Sequence, residues 1–147
     1  MNIEAYIIAG VILGLLFTEL TGLSPGGIIV PGYLALFIYR PLEILVTIAV
    51  AIVVMVCIKL ISRLFLLFGR RRYALCLVLG ILLKLGIEYF FKGTSTLQGN
   101  VQLVGWLIPG IMANDMYKQG IPRTMLAAAT VTALVFLLAQ GAAYVFR

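Results

Sequence analysis

An all-α integral membrane protein is the fold class this sequence predicts, and three observations carry the prediction. Of 147 residues 63% are hydrophobic and 11% charged, with a mean hydropathy of +1.16. Five acids and eleven bases are too few to cover the surface of a soluble domain of this length. Apolar runs recur at the length of about 20 residues that a helix needs to cross ~30 Å of hydrocarbon. The bases are also gathered at run boundaries, where they set orientation in a bilayer. Residues 1–147 are therefore read as a single membrane domain with about six membrane-embedded segments, four long helices and two broken by Pro-Gly.

The first segment runs from Ala5 to Thr21, with Glu19 near its end; Met1 to Glu4 carries no basic cluster, so this run reads as a retained span rather than a cleaved leader. The second, Leu23 to Tyr39, holds Pro25, Gly26, Gly27, Pro31 and Gly32. The third, Leu42 to Ile61, is dominated by Ile, Val and Leu. A basic stretch follows, with Lys59, Arg63, Arg70, Arg71 and Arg72, and then a fourth span, Tyr73 to Phe91, containing Lys84 and Glu88. After the polar loop Lys92 to Asn100 come a short segment, Val101 to Asn114, broken at Pro109-Gly110, and a last span from Arg123 to Phe146.

Five bases between residues 59 and 72, with no acid among them, place loop 63–72 on the cytoplasmic side. Two topologies remain open. If both Pro-Gly segments cross, the termini lie outside and Lys118 and Arg123 join the cytoplasmic bases; if both re-enter, the termini lie inside. The charge count favours crossing.

A shift of 78 residues aligns Gly27 with Gly105, Pro31 with Pro109, Gly32 with Gly110 and Ala35 with Ala113, and sets Arg40 against Lys118. This marks a weak internal duplication, with pseudo-repeats 5–62 and 73–146 joined by the basic loop. Three crossings per copy would insert the copies in opposite orientations, the inverted-repeat arrangement of many transporters. Proline lacks the N–H donor and glycine the side chain, so each Pro-Gly is expected to break its helix. Such breaks are tolerated at membrane depth only when buried in protein or lining a wet cavity. Paired half-helices could then face an anion; the alternative is a kink that lets helices pack closely.

Lys84 lies near mid-membrane, where a base is costly, and Glu88 one turn on shares its face. Either the two form a structural pair, or Lys84 is a fixed positive charge beside a polar path with Glu88 or Glu19 as counter-ion. The net charge of +6 reflects few acids rather than many bases, which argues against nucleic acid as a partner. With no histidine, and with Cys57 and Cys76 set apart in apolar runs, the chain lacks ligand spacing for a metal. No nucleophile-base set and no phosphate-binding glycine loop is visible, so this chain alone is expected to carry no catalytic set and no cofactor.

The runs Gly26-Gly-Ile-Ile-Val-Pro-Gly-Tyr-Leu-Ala-Leu36, Gly69-Arg-Arg-Arg-Tyr-Ala74 leading into Gly80-Ile-Leu-Leu-Lys84, and Leu107-Ile-Pro-Gly-Ile-Met-Ala-Asn114 with Lys118-Gln-Gly120 resemble one family over nearly the whole chain. It is the small integral-membrane component of bacterial poly-gamma-glutamate synthase, the capsule biosynthesis protein C family. The resemblance implies a multi-pass protein of the bacterial cell membrane in a complex that makes and exports poly-gamma-glutamate. It also implies two protein partners: a cytoplasmic ATP-dependent amide ligase holding ATP and divalent metal, and a membrane-anchored extracellular protein linked to export. Family members carry an Arg seven residues before the second Pro-Gly, where this chain has Gln102, so no polymer-binding arginine is carried onto that position.

Within this frame the polymer-path candidates are Gly27, Pro31, Gly32, Arg40, Lys84, Glu88, Gly105, Pro109, Gly110 and Lys118, and the ligase-docking candidates are Arg63, Arg70, Arg71 and Arg72. The chain is expected to act as a homo-oligomer forming part of a polar route, in which Arg40, Lys84 and Lys118 offer spaced positive sites without a tight trap. A non-conducting anchor and activator of the ligase is the alternative, and a stand-alone small transporter a third.

Overall fold

The structure is a computed structural model that describes residues 3–90 and 100–145, with side chains from residue 4 to 90 and from 106 to 145. The described residues form six helices: α1 (Ile3–Thr21), α2 (Val30–Leu36), α3 (Pro41–Leu64), α4 (Arg70–Phe90), α5 (Asn100–Gln119) and α6 (Ile121–Val145). Four of them, α1, α3, α4 and α6, are long and apolar enough to cross a bilayer. Their outward faces carry large apolar side chains such as Ile8, Ile12, Leu16, Val53, Leu60, Leu82, Leu126 and Leu138. No aqueous surface would be built this way, and the chain is a membrane protein.

Each long helix turns one narrow stripe inward. On α3 this is Thr47, Val50, Ala51, Val54 and Ile58, and on α6 Thr124, Ala127, Ala128, Val131, Val135 and Ala139. The three- and four-residue spacing keeps these positions on one face while the rest meets lipid. The centre is formed by the two Pro-Gly elements. Six of the seven residues of α2 are buried, Val30 to Ala35, and on α5 Ile108, Pro109, Gly110, Met112, Ala113, Asn114 and Met116 are buried. Helix α2 packs on α1 and α6, and α5 packs on α4, α3 and α6.

Glycine makes those central contacts possible. A methyl group at Gly10 on α1 would fall 2.3 Å from the Cα of Gly32, and one at Gly32 would fall 2.8 Å from the carbonyl oxygen of Tyr6. The arrangement recurs in the second half: a methyl at Gly80 on α4 would fall 2.8 Å from the amide nitrogen of Gly110, and one at Gly110 2.6 Å from the carbonyl oxygen of Cys76. In both places backbone lies against backbone, the close approach that small residues allow between helices in a bilayer.

The two Pro-Gly pairs do not act alike, which corrects the expectation of two broken segments with facing half-helices. Pro31 sits in the first turn of α2, where its missing N–H has no intrahelical acceptor to lose, and the irregular chain lies upstream at residues 22–29. Pro109 lies inside α5, which continues through it from Asn100 to Gln119, longer than the expected Val101 to Asn114. One missing bond is a local loss, and the packing of Gly110 against α4 holds the helix on both sides of it. The basic loop is likewise shorter than 63–72: Arg63 belongs to the last turn of α3, Arg70 to Arg72 begin α4, and only residues 65–69 connect them.

Local turn chemistry explains two of the junctions. Gly26 and Gly27 have φ of 84° and 113°, and a side chain at Gly27 would also collide with Ile111 at 2.5 Å. Gly120, φ 94°, ends α5 by donating its N–H to Met116 O at 2.9 Å, and Pro122 follows in the first turn of α6.

Candidate functional site

One end of the bundle collects bases. The C-terminal part of α3 brings Lys59 and Arg63, the start of α4 brings Arg70, Arg71 and Arg72, and the end of α5 and start of α6 bring Lys118 and Arg123. Contacts tie these elements together at one level: the Arg72 guanidinium lies 4.6 Å from the Tyr117 ring centroid, and the Tyr117 hydroxyl is 3.4 Å from Ser62 Oγ. All seven bases except Arg72 are exposed, and Arg72 is half-buried with its Nε lacking a hydrogen-bond partner among the described residues.

Beside this end lies a polar clasp that the sequence pattern does not announce. The Ser24 hydroxyl donates to Asp115 Oδ2, and the Ser24 N–H donates to Gln119 Oε1 at 3.1 Å. Gln119 Nε2 donates in return to Ser24 O and to Thr124 Oγ1, the latter at 3.1 Å, while the Gly27 N–H donates to Ser24 Oγ at 3.2 Å. The irregular loop 22–29 must satisfy its backbone groups inside protein, and α5 with α6 supplies the partners. The available signal was Asp115 and Gln119 at helical spacing just before Gly120.

The opposite end is sparser. Arg40 precedes the first residue of α3 and is exposed, Gln140 Nε2 donates to the Tyr39 hydroxyl at 3.1 Å, and Tyr39 packs on Phe136. Glu88 on α4 accepts the indole N–H of Trp106 on α5, at 3.1 and 3.2 Å to its two oxygens. Lys84, only 6% exposed, is buried one turn before it. Trp106 is thus a further member of this cluster, legible in sequence only as a single indole.

The sequence-selected residues therefore divide into groups that the fold does not merge. Pro31, Gly32, Pro109 and Gly110 are buried in helix contacts, and Gly27 packs on Ile111. Lys84 and Glu88 share one cluster, whereas Arg40 and Lys118, matched in the repeat, stand at opposite ends. Gly105 and Gln102 lie on α5 where only the helix is described, and the polar loop preceding α5 lies outside the described residues. Among the described residues no three His, Cys, Asp or Glu side chains are grouped closely enough to hold a metal ion.

The family model for capsule biosynthesis CapC matches residues 9–125, which includes both Pro-Gly elements, the arginine run and Lys84. The chain belongs to the CapC family. A Bacillus anthracis relative, capsule biosynthesis protein CapC, is 38% identical over 120 residues, covering 81% of this chain and 80% of its own. A Bacillus subtilis relative, PGA biosynthesis protein CapC, is 34% identical over 136 residues, covering 89% and 91%. No solved structure matches the chain. The family assignment agrees with an all-helical chain bearing four apolar spans.

Proposed function

We propose that this chain is the integral-membrane part of a complex that makes and exports poly-gamma-glutamate. It docks the cytoplasmic ATP-dependent amide ligase through Arg63, Arg70, Arg71 and Arg72 and forms part of the route the polyanion takes across the bilayer. The relatives' roles in capsule and PGA biosynthesis support the process. The observation that carries the division of labour is the sorting of charge among the described residues: seven bases at one end of the bundle and a single buried lysine, Lys84, within it.

In this reading the basic end faces the cytoplasm, both termini face outward, and residues 22–40 and α5 traverse the same depth as the four long spans. Pseudo-repeats 5–62 and 73–146 are inverted copies. Support comes from the recurrence of Gly10 on Gly32 as Gly80 on Gly110, and from Arg40 and Lys118 standing at opposite ends. The ligase keeps ATP and its divalent metal, the membrane-anchored extracellular partner lies on the outer side, and this chain supplies the bilayer-embedded part. A glutamate polymer carries one carboxylate per unit, so Arg40, Lys84 and Lys118 offer spaced attraction, and weak binding at several sites permits movement where one tight site would trap it. Pro31, Gly32, Pro109 and Gly110 set the helix spacing on which those charges sit, with Gly27 and Gly105 at the matching repeat positions.

One observation favours the alternative of a non-conducting anchor. Gly32 and Gly110 leave no room for even a methyl group against α1 and α4, so a route would run between copies of an oligomer rather than through those contacts. The test changes Arg70, Arg71 and Arg72 to Gln, and Lys84 and Lys118 to Met and Gln, in separate chains. Docking predicts loss of ligase co-purification in the first, and a route predicts polymer retained in the cytoplasm in the second. Wild-type co-purification in the first removes the docking role; unchanged export in the second leaves the anchor reading.

A further inference from the structure

The linker between α3 and α4 carries an apolar patch that docking through the arginines alone does not use. Leu64, Phe65, Leu66 and Phe68 are 81, 68, 83 and 72% exposed. Exposed leucines elsewhere on this chain face acyl chains, but these four sit at a different depth. From Pro41 to Lys59, α3 is about 27 Å long at ~1.5 Å per residue, close to the full hydrocarbon thickness. Lys59 and Arg63 therefore stand at the headgroups, and Leu64 lies roughly 7 Å beyond Lys59. On the other arm of the hairpin Arg70, Arg71 and Arg72 hold the first turn of α4 at the same level.

The tip has a defined shape. The Phe65 N–H caps α3 by donating to Ile61 O at 2.9 Å, Gly69 turns the chain with φ 57°, and the Tyr73 N–H donates to Gly69 O at 3.2 Å. Five bases, Lys59, Arg63, Arg70, Arg71 and Arg72, flank the tip on the two arms of the hairpin, and carrying them below the headgroups along with the phenylalanines would be costly. With loop 63–72 read as cytoplasmic, the apolar tip lies beyond the basic end of the bundle and is flanked by positive charge.

We infer that Phe65, Leu66 and Phe68 plug an apolar pocket, rimmed by carboxylates, on a cytoplasmic protein partner. This rests on the reading that loop 63–72 faces the cytoplasm and docks the ligase. It adds that the buried tip supplies most of the affinity, while the arginine ring steers encounter and sets orientation.

The experiment measures binding of the purified ligase to this chain in nanodiscs, comparing the wild type, the triple variant F65S/L66S/F68S and R70Q/R71Q/R72Q. The serine variant is expected to raise Kd by at least about tenfold through faster dissociation, and the glutamine variant mainly to slow association and flatten the salt dependence. In parallel, F68C labelled with a solvatochromic dye, with the unsubstituted chain carried through labelling as blank, reports the tip's surroundings. Shielding that develops only when the ligase is added is expected. Wild-type affinity in the serine variant overturns the tip's role while leaving arginine docking intact, and a wild-type chain that binds no ligase overturns both. Dye quenched by brominated lipid before ligase is added assigns the tip to the membrane. Shielding that is lost on diluting the chain in lipid assigns it to a second copy. Either result overturns the inference.

Discussion

Replacing Gly110 by alanine places a methyl group 2.6 Å from the carbonyl oxygen of Cys76 and 2.7 Å from the Cα of Leu77. Both obstacles are backbone, so no rotamer change can relieve them. Restoring ordinary contact requires α4 and α5 to part by about 1 Å, a gap that forfeits a quarter to a half of the dispersion well for each contact between them. Overpacking of this kind costs about 1 to 3 kcal/mol, and an obstacle that cannot rotate away puts Gly110→Ala near the upper end. Gly86→Ala on α4 is the matched control, because nothing lies within 4 Å of its added methyl. Alanine there gains roughly 0.5 to 1 kcal/mol of helix preference. Thermal unfolding of the purified variants in one detergent, followed by loss of the monodisperse elution peak, is the assay. The expected order is Gly86→Ala at or above wild type and Gly110→Ala lower by several degrees. Equal midpoints for the two would refute close backbone packing as what joins these helices.

Other contacts give further expectations. Glu88→Met and Trp106→Phe, made singly and together, should show a coupling of about 0.5 to 3 kcal/mol, since each removes one side of the indole–carboxyl hydrogen bond; a coupling near zero in the double-mutant cycle removes that bond from the account. Gln119→Ala deletes the partner of Ser24 N–H, Ser24 O and Thr124 Oγ1, and should speed amide exchange across residues 22–29 by tenfold or more, with little change in the α3 stripe. Arg72→Gln should cost about 0.5 to 2 kcal/mol through loss of its contact with Tyr117, an effect absent from Arg71→Gln; equal effects would show that charge alone matters.

Composition and run length sufficed to identify the four spans, because a bilayer accepts few sequences other than long apolar helices. The duplicated Pro-Gly was also visible, and its partners in space were matching glycines, Gly10 and Gly80, that no fixed sequence offset pairs. The behaviour of each Pro-Gly was less legible. Whether proline begins a helix or interrupts one depends on what precedes it: two glycines at positive φ before Pro31 release the chain, whereas Pro109 follows residues content to be helical. The Ser24–Asp115–Gln119 clasp was hidden for a related reason. Ser24 and Asp115 are far apart in sequence, and only the fold of loop 22–29 against α5 brings them together. The depth of Lys84 was legible, but the partner of its neighbour Glu88 was not, since Trp106 comes from another helix.

Under the proposed function this chain carries a polyanion across the membrane for a ligase on its basic side. Inside-out vesicles containing the complex, supplied externally with ATP, divalent metal and labelled glutamate, test it most directly by the fraction of new polymer shielded from an added poly-gamma-glutamate hydrolase. The expected result is shielded polymer with the wild-type chain, and polymer made at an undiminished rate but left accessible when Lys84 and Lys118 are changed to Met and Gln. Equal shielding for the two chains, at equal synthesis, would contradict it.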